Sequence, residues 1–300
     1  MKHLISMREV SKDEIIKILQ LARKIENREI TPNLSNKVMA LLFFEPSTRT
    51  RFSFETAMKR LNGEVLTLTG AEGTSIEKGE SLKDTVKMME RYADIIVIRH
   101  RLEGAARFVS EVVNIPVVNA GDGANQHPTQ TLLDLYSIEK TQGRLDNLKI
   151  AMVGDLRYGR TVHSLSYALM HFNPMLFFVS PKTLSMPDNI KIDLKDKGIN
   201  FEERERIEDV INKVDILYMT RIQRERFPDP TEYELVKNIY VLTKEMLKDA
   251  KDNLKVLHPL PRVNEIEESV DSTKFAYYFE QAENGIFVRQ AIISMLLGEV

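Results

Sequence analysis

Short apolar runs of strand length alternate with segments of helical periodicity along nearly the whole chain. The segments between the runs repeat apolar residues at intervals of three and four, which is typical of amphipathic helices. This alternation predicts an α/β fold in which parallel strands are covered by helices on both faces. The predicted strands are residues 38–44, 65–68, 94–98, 115–119, 148–153, 175–180, 199–202, 216–219 and 254–257.

The chain is long enough for two such sheets. Its 300 residues exceed what one hydrophobic core usually organises, so we expect two doubly wound domains. One helix ends before a new series of strands begins, so the change of domain should lie inside that helix. We predict a first domain over residues 1–130 and a second over residues 131–284. The apolar terminal helix, residues 285–300, must pack on something and is predicted to return to the first domain.

The composition excludes several classes of function. The 42 Lys and Arg residues are balanced by 44 Asp and Glu residues, which leaves no basic surface suited to nucleic acid or to an anionic membrane. The absence of Cys excludes disulfides, thiolate nucleophiles and Cys-based metal sites. The N-terminal residues lack a signal-peptide pattern and no window approaches roughly 18 apolar residues, so we expect a cytoplasmic protein that binds small molecules or proteins.

The segment from Ser47 to Arg51 lies between a predicted strand and a predicted helix. Its sequence, Ser-Thr-Arg-Thr-Arg, places three hydroxyl groups and two guanidinium groups at the start of that helix. The free N–H groups of a first helical turn, the positive end of the helix dipole and an arginine together favour a bound phosphate. The alternative is that Ser47 or Thr48 is an ordinary N-cap and that the arginines are solvated.

Polar residues also follow two other predicted strands of the first domain. Arg99 follows one strand, and a polar segment that contains His127 follows the next. Ligands of doubly wound sheets bind at the carboxyl ends of the strands, so both residues should face the region of Arg49. Pro128 suits the first position of a helix and places His127 at the N-cap, where the helix dipole disfavours a protonated imidazole. We expect a neutral, hydrogen-bonding histidine, and the alternative is a purely structural cap.

Residues 154–161 nearly match a nucleotide-binding P-loop, but Arg160 stands where that motif needs Lys. No predicted strand ends in the Asp that would hold Mg²⁺, and no Gly-x-Gly-x-x-Gly motif occurs, so both nucleotide interpretations are disfavoured. Arg160, together with Arg221 and Gln223 after a later strand, suits a carboxylate ligand instead. The Pro-rich loop 258–262 is stiff, and its backbone carbonyls can receive an amine.

Taken together and in this order, the motifs closely resemble those of the aspartate and ornithine carbamoyltransferase family over residues 1–300. The resemblance implies that the first domain binds carbamoyl phosphate and the second binds an amino acid that receives the carbamoyl group. It implies a cytoplasmic homotrimer that shares active sites between subunits, acts in pyrimidine synthesis and has a separate regulatory chain as a possible partner. Neither a metal nor an organic cofactor is expected.

L-Aspartate is the acceptor that the resemblance favours. Ornithine-specific members carry a Cys in the loop where this chain has residues 258–261, and this chain contains no Cys. Lys78, Arg221 and Gln223 also suit a dicarboxylate better than a cationic amino acid. The alternatives are ornithine or another amino acid as acceptor, or a non-catalytic amino-acid or phosphate sensor, since a fold alone does not fix a function.

The resemblance assigns roles to individual residues. Those implied to bind carbamoyl phosphate are Ser47, Thr48, Arg49, Thr50, Ser75, Lys78, Arg99, His127 and Gln130. Those implied to be catalytic are Arg49, Thr50, Lys78, Arg99 and His127, with Ser75 and Lys78 supplied by the neighbouring subunit. Those implied to bind aspartate are Lys78, Arg160, Arg221, Gln223, Leu260 and Pro261. Glu45 and Arg226 are implied to bridge the two domains on closure.

Overall fold

A computed structural model of the chain describes residues 1–70, 75–222, 231, 233–234 and 239–299. The chain forms two compact units, one of residues 1–133 with 283–300 and the other of residues 134–282. None of the helices in the described ranges is both long and apolar enough to cross a lipid bilayer.

The first unit is built on a four-stranded parallel sheet. Its strands are β1 (Val38–Phe43), β2 (Glu64–Thr69), β3 (Ile95–His100) and β4 (Val117–Asp122). They lie in the order β2-β1-β3-β4. The helices that begin in this part of the chain are α1 (Lys12–Glu26), α2 (Thr48–Arg60), α3 (Leu82–Tyr92), α4 (Ala105–Val112) and α5 (Pro128–Gln142). All adjacent strands are parallel, so their carboxyl ends share one edge of the sheet.

Local sequence signals account for several helix starts in this unit. Ser11 accepts a hydrogen bond from the N–H of Glu14 while the Glu14 carboxylate accepts one from the N–H of Ser11, which is the capping box typical of a Ser followed three residues later by a Glu. The side chain of Ser81 caps α3 by accepting from the N–H of Asp84. These bonds satisfy N–H groups that have no partner inside the helix.

Strand β4 begins and ends later than the predicted 115–119. Leu4 forms a parallel bridge with Val118, and the backbone N–H of Val117 donates to Nδ1 of His3. At the other end Asp122 forms a bridge with Gln126. The strand is displaced because its partners lie at the N-terminus and in the following loop, neither of which a local apolar pattern reveals.

The second unit is built on a five-stranded parallel sheet. Its strands are β5 (Lys149–Val153), β6 (Met175–Val179), β7 (Asn200–Arg204), β8 (Ile216–Met219) and β9 (Lys255–Leu257), in the order β7-β6-β5-β8-β9. Two described helices, α6 (Arg160–Leu169) and α7 (Asp188–Asp196), connect strands of this sheet. Each of the nine predicted strands is present, and the α/β class with two doubly wound sheets is confirmed.

The terminal helix α8 (Tyr278–Leu297) begins before the predicted residue 285. The preceding aromatic tract pairs with β9: Phe275 accepts from the N–H of Val256, and Tyr277 donates to the carbonyl of Val256. The helix therefore begins where that pairing ends. Gly285 lies inside α8, where an added Cβ would come within 2.3 Å of Arg289 Nη1 and 3.0 Å of Leu133 Cδ2. This glycine marks close packing, not a helix boundary.

Candidate active site

The N-terminus of α2 lies at the carboxyl end of β1, where the sequence predicts a phosphate site. Ser47 occupies the N-cap with an extended backbone, φ −161° and ψ 114°, and its side chain makes no capping hydrogen bond. The first turn contains no acidic residue, Arg49 is exposed and Thr50 is buried. A helix start without a side-chain cap or a carboxylate is suited to an anion. The alternative that Ser47 is an ordinary cap does not fit this geometry.

A buried arginine of α8 contacts α2. Arg289 is 3% exposed, its Nη1 donates to Ser53 Oγ at 2.8 Å, and its guanidinium lies 5.0 Å from the ring centroid of Phe54. Sequence reasoning missed this residue. One feature of the sequence could have revealed it: Arg289 is a single cation within an apolar terminal helix. An arginine is rarely buried unless it has a partner. Arg289 therefore ties α8 to the middle of α2, one turn after the proposed phosphate site.

Arg99 lies at the end of β3, beside the end of β1, with which it is in register at Phe43. Its Nη2 donates to Glu45 Oε1 at 3.0 Å and its Nη1 to the carbonyl of Ala120 at 3.4 Å. The first unit therefore brings Arg99 to the strand end from which α2 follows. Glu45, predicted as a closure residue, forms an ion pair with Arg99 in which both side chains are largely buried.

His127 and Gln130 lie at the start of α5 and are both buried. The carbonyl of His127 accepts from the N–H groups of Gln130 at 3.0 Å and Thr131 at 3.2 Å. Pro128 is the first residue of α5, as predicted. Because β4 lies next to β3, this helix start is at the same edge of the sheet as Arg99.

A buried carboxylate fixes the loop that carries His127. Asp122 is 1% exposed, and its Oδ1 accepts from Asn119 Nδ2 at 2.8 Å and from the N–H of Gln126 at 3.1 Å. Its Oδ2 accepts from the N–H of Gly104 at 2.9 Å and from Asn125 Nδ2 at 3.0 Å. Sequence reasoning did not single out Asp122, because only folding brings these four donors to one carboxylate.

The loop residues Ser75 and Lys78 form a short 3-10 turn, with the N–H of Glu80 closing onto the carbonyl of Ser75 at 3.1 Å. Both side chains are exposed. The turn thus presents a cation to solvent.

In the second unit, the loop that begins directly after β5 packs closely against Thr220, the residue that follows β8. An added Cβ on Gly154 would come within 2.4 Å of the carbonyl oxygen of Thr220, and the backbone N–H of Asp155 donates to Thr220 Oγ1 at 3.1 Å. Arg160 is the first residue of α6 and Arg221 follows Thr220 directly. Close backbone packing therefore accounts for Gly154, the first glycine of the P-loop-like segment. Gln223 and Arg226 lie outside the described residues.

The loop after β9 carries Leu260 and Pro261 at the same edge of this sheet, since β9 lies next to β8. Leu260 has φ +55°, and the Leu260–Pro261 peptide is cis. The second unit thus places the described members of the predicted aspartate group, Arg160, Arg221, Leu260 and Pro261, at strand ends of a single sheet. Among the described residues, no group of three or more His, Asp or Glu side chains is arranged to hold a metal ion.

Sequence models of two consecutive domains match the chain. Residues 2–140 match the aspartate/ornithine carbamoyltransferase carbamoyl-P binding domain, and residues 146–296 match the Asp/Orn binding domain of the same enzymes. The chain belongs to the aspartate/ornithine carbamoyltransferase family. The resemblance predicted from its motifs is confirmed.

Individual relatives within this family are similar over nearly their whole length. The chain is 57% identical over 298 residues to the aspartate carbamoyltransferase catalytic subunit of Parabacteroides distasonis, covering 99% of this chain and 97% of that one. It is 55% identical over 302 residues to the corresponding subunit of Methanocaldococcus jannaschii, covering 99% and 98%.

Solved structures of the family show the same fold. The catalytic subunit of M. jannaschii aspartate transcarbamoylase superposes with a TM-score of 0.91 at 54% identity, covering 99% of this chain and 98% of that one. The Trypanosoma cruzi aspartate transcarbamoylase in complex with carbamoyl phosphate and aspartate superposes with a TM-score of 0.91 at 37% identity, covering 97% and 95%.

Proposed function

We propose that the chain transfers the carbamoyl group of carbamoyl phosphate to the α-amine of L-aspartate, forming N-carbamoyl-L-aspartate and phosphate. The observation that carries this proposal is the start of α2, which has no side-chain cap and lies at the strand ends that also carry Arg99 and His127. Relatives named as aspartate carbamoyltransferase catalytic subunits, at 54–57% identity over their full length, support aspartate as the acceptor. We propose that the chain acts in the first reactions of pyrimidine synthesis, in the cytoplasm.

The first unit is the carbamoyl-phosphate-binding domain. The phosphate receives hydrogen bonds from Ser47, Thr48 and Arg49 and from the N–H groups at the start of α2. The carbamoyl oxygen receives them from Thr50, Arg99 and His127, and the side chain of Gln130 binds the carbamoyl amide. The burial of Thr50, His127 and Gln130 supports these roles, because hydrogen bonds are stronger where water is excluded.

The second unit is the aspartate-binding domain. Arg160, Arg221 and Gln223 bind the two carboxylates of aspartate, for which a guanidinium offers paired donors. The carbonyls of Leu260 and Pro261 accept hydrogen bonds from the α-amine. These groups follow β5, β8 and β9, which are adjacent in the sheet.

The reaction needs no covalent enzyme intermediate. The amine nitrogen attacks the carbamoyl carbon, a C–N bond forms, and the C–O bond to phosphate breaks. Thr50, Arg99 and a neutral His127 stabilise the negative charge that develops on the carbamoyl oxygen. Phosphate leaves with Arg49 and Lys78 stabilising its charge, and it takes the proton that the amine loses. Orientation of the two substrates contributes a further large part of the rate.

The chain works in an assembly, which the catalytic-subunit names of its relatives support. The proposed form is a homotrimer in which Ser75 and Lys78 of one subunit enter the site of its neighbour. A separate regulatory chain is a further proposed partner. Sizing of the purified chain, alone and after incubation with cell extract, tests both statements.

The activity is tested with the purified chain, carbamoyl phosphate and L-aspartate, with carbamoyl aspartate measured by a colour reaction. The expected result is product that depends on both substrates, with little product when ornithine replaces aspartate. A chain that binds both substrates but forms no product would be a sensor instead.

We expect Arg221→Lys to raise the KM for aspartate by roughly 10-fold or more, because Lys cannot make the paired contact of a guanidinium with a carboxylate. The affinity for carbamoyl phosphate should stay close to that of the unmodified chain. Arg206→Lys, at an exposed position of the same unit, is the matched control. If Arg221→Lys weakened the affinity for both substrates equally, that result would contradict the assigned role.

A further inference from the structure

The loop after β9 is closed on itself by two buried side chains. The N–H of Leu260 donates to Nδ1 of His258 at 2.7 Å, and Nε2 of His258 lies 2.7 Å from Glu265 Oε1. The other oxygen of Glu265, Oε2, accepts from the N–H groups of Val263 at 3.0 Å and Asn264 at 3.1 Å. His258 and Glu265 are 1% and 4% exposed, so water does not compete for these bonds.

The hydrogen bonds fix the proton on the imidazole. Because a backbone N–H donates to Nδ1, that nitrogen carries no proton, and Nε2 carries the proton that is donated to Glu265. Burial alone would raise the pKa of Glu265, but three donors, Nε2 of His258 and the N–H groups of Val263 and Asn264, favour the ionised carboxylate and lower this pKa. The hydrogen bonds therefore run in one direction, from the N–H of Leu260 to the neutral histidine and from the histidine to the carboxylate.

The backbone at Leu260, which these hydrogen bonds hold, is strained. Leu260 has φ +55°, in the left-handed region that residues other than glycine rarely adopt. Such a conformation persists only where the surroundings fix it, and it is typical of functional sites. The N–H of Leu260 is the group that His258 holds.

A second set of bonds ties the loop to the rest of the unit. The N–H of His258 donates to Gln281 Oε1 at 2.8 Å, and Gln281 Nε2 donates to Asp134 Oδ1 at 2.6 Å. Tyr218 of β8 donates to the other carboxylate oxygen of Asp134 at 2.8 Å. Gln281 lies in α8 and Asp134 in α5. The loop is thus anchored to both helices and to the strand that precedes Arg221.

We propose that His258 and Glu265 are positioning residues for the acceptor: Nδ1 of His258 holds Leu260 so that the carbonyls of Leu260 and Pro261 point where the α-amine of aspartate binds. This inference rests on the proposed function, in which those carbonyls receive the amine. His258 does not itself contact substrate. Glu265 acts one step further away, by orienting the imidazole and bringing residues 263 and 264 back onto the loop.

Two substitutions separate the two ring nitrogens. In His258→Asn the side-chain oxygen can replace Nδ1 as the acceptor for Leu260, whereas in His258→Gln the amide can replace Nε2 as the donor to Glu265. We expect His258→Gln to raise the KM for aspartate about 10-fold, the usual effect of losing one buried hydrogen bond, and His258→Asn to raise it clearly less. The affinity for carbamoyl phosphate should be unchanged in both. His171→Gln, at an exposed position of the same unit, is the control.

The measurements are steady-state kinetics with aspartate varied, direct binding of carbamoyl phosphate, and thermal unfolding of each variant. Equal KM values for aspartate in the two variants, or a lower value in His258→Gln, would overturn the positioning role. The role would also be overturned if the affinities for both substrates fell together and the unfolding temperature dropped, since that result means a general loss of packing. Failure of the proposed function has a different signature, because the unmodified chain would then form no carbamoyl aspartate.

Discussion

Chains that carry Arg49→Ala and chains that carry Lys78→Ala, each nearly inactive when assembled alone, should regain activity when they are dissociated and reassembled together. In the proposed homotrimer, a closed ring with head-to-tail interfaces, one subunit supplies Arg49 and the next supplies Lys78 to the same phosphate. Each mixed trimer then contains about one site with both native residues, one with neither and one with a single defect. The exposed position of Lys78 in its turn is compatible with this use by a neighbour.

The rate of carbamoyl aspartate formation before and after reassembly is the measurement. Each variant reassembled alone sets the baseline. A matched control mixes Arg49→Ala chains with chains that carry both substitutions, because no subunit in that mixture has Arg49 and no native site can form. If the complementary mixture is no more active than this control, the shared site is wrong.

His127→Ala should lower kcat by something like 10²-fold while carbamoyl phosphate still binds. In the proposed mechanism the histidine donates to an oxygen whose negative charge develops only in the transition state, so its loss should affect turnover far more than substrate binding. Steady-state kinetics at saturating substrates and equilibrium binding of carbamoyl phosphate separate the two effects. His171→Ala, which truncates an exposed histidine, should leave both unchanged. Normal turnover in His127→Ala would remove this residue from the mechanism.

The sequence predicted most where the determining partners are close in the chain. Ser11 and Glu14 are three residues apart, and Pro128 directly follows His127, so both helix starts could be inferred from local chemistry. The central strands β1, β5 and β8 were found for a related reason. A strand buried on both faces must be apolar throughout, and such a run is visible without knowledge of its neighbours.

The sequence predicted least where the partners are distant. Arg289 contacts Ser53, which is 236 positions away, and an isolated arginine in an apolar helix does not name its partner. Asp122 accepts from the N–H of Gly104, which is 18 positions away and directly precedes α4. The start of α8 was also missed, because the aromatic residues before it pair with β9. In each case tertiary contacts, not local propensity, decide the outcome.

The contact between Arg289 and α2 also has a consequence for the order in which the protein is made. Ribosomes release the N-terminus first, and domains begin to fold as they emerge. The helix at the proposed phosphate site is complete once residue 60 has been added to the growing chain. The guanidinium that contacts it belongs to the last helix of the chain. A nascent chain cannot complete this site until its final segment is free, so a product cut short near its end lacks the support for its earliest-made functional helix.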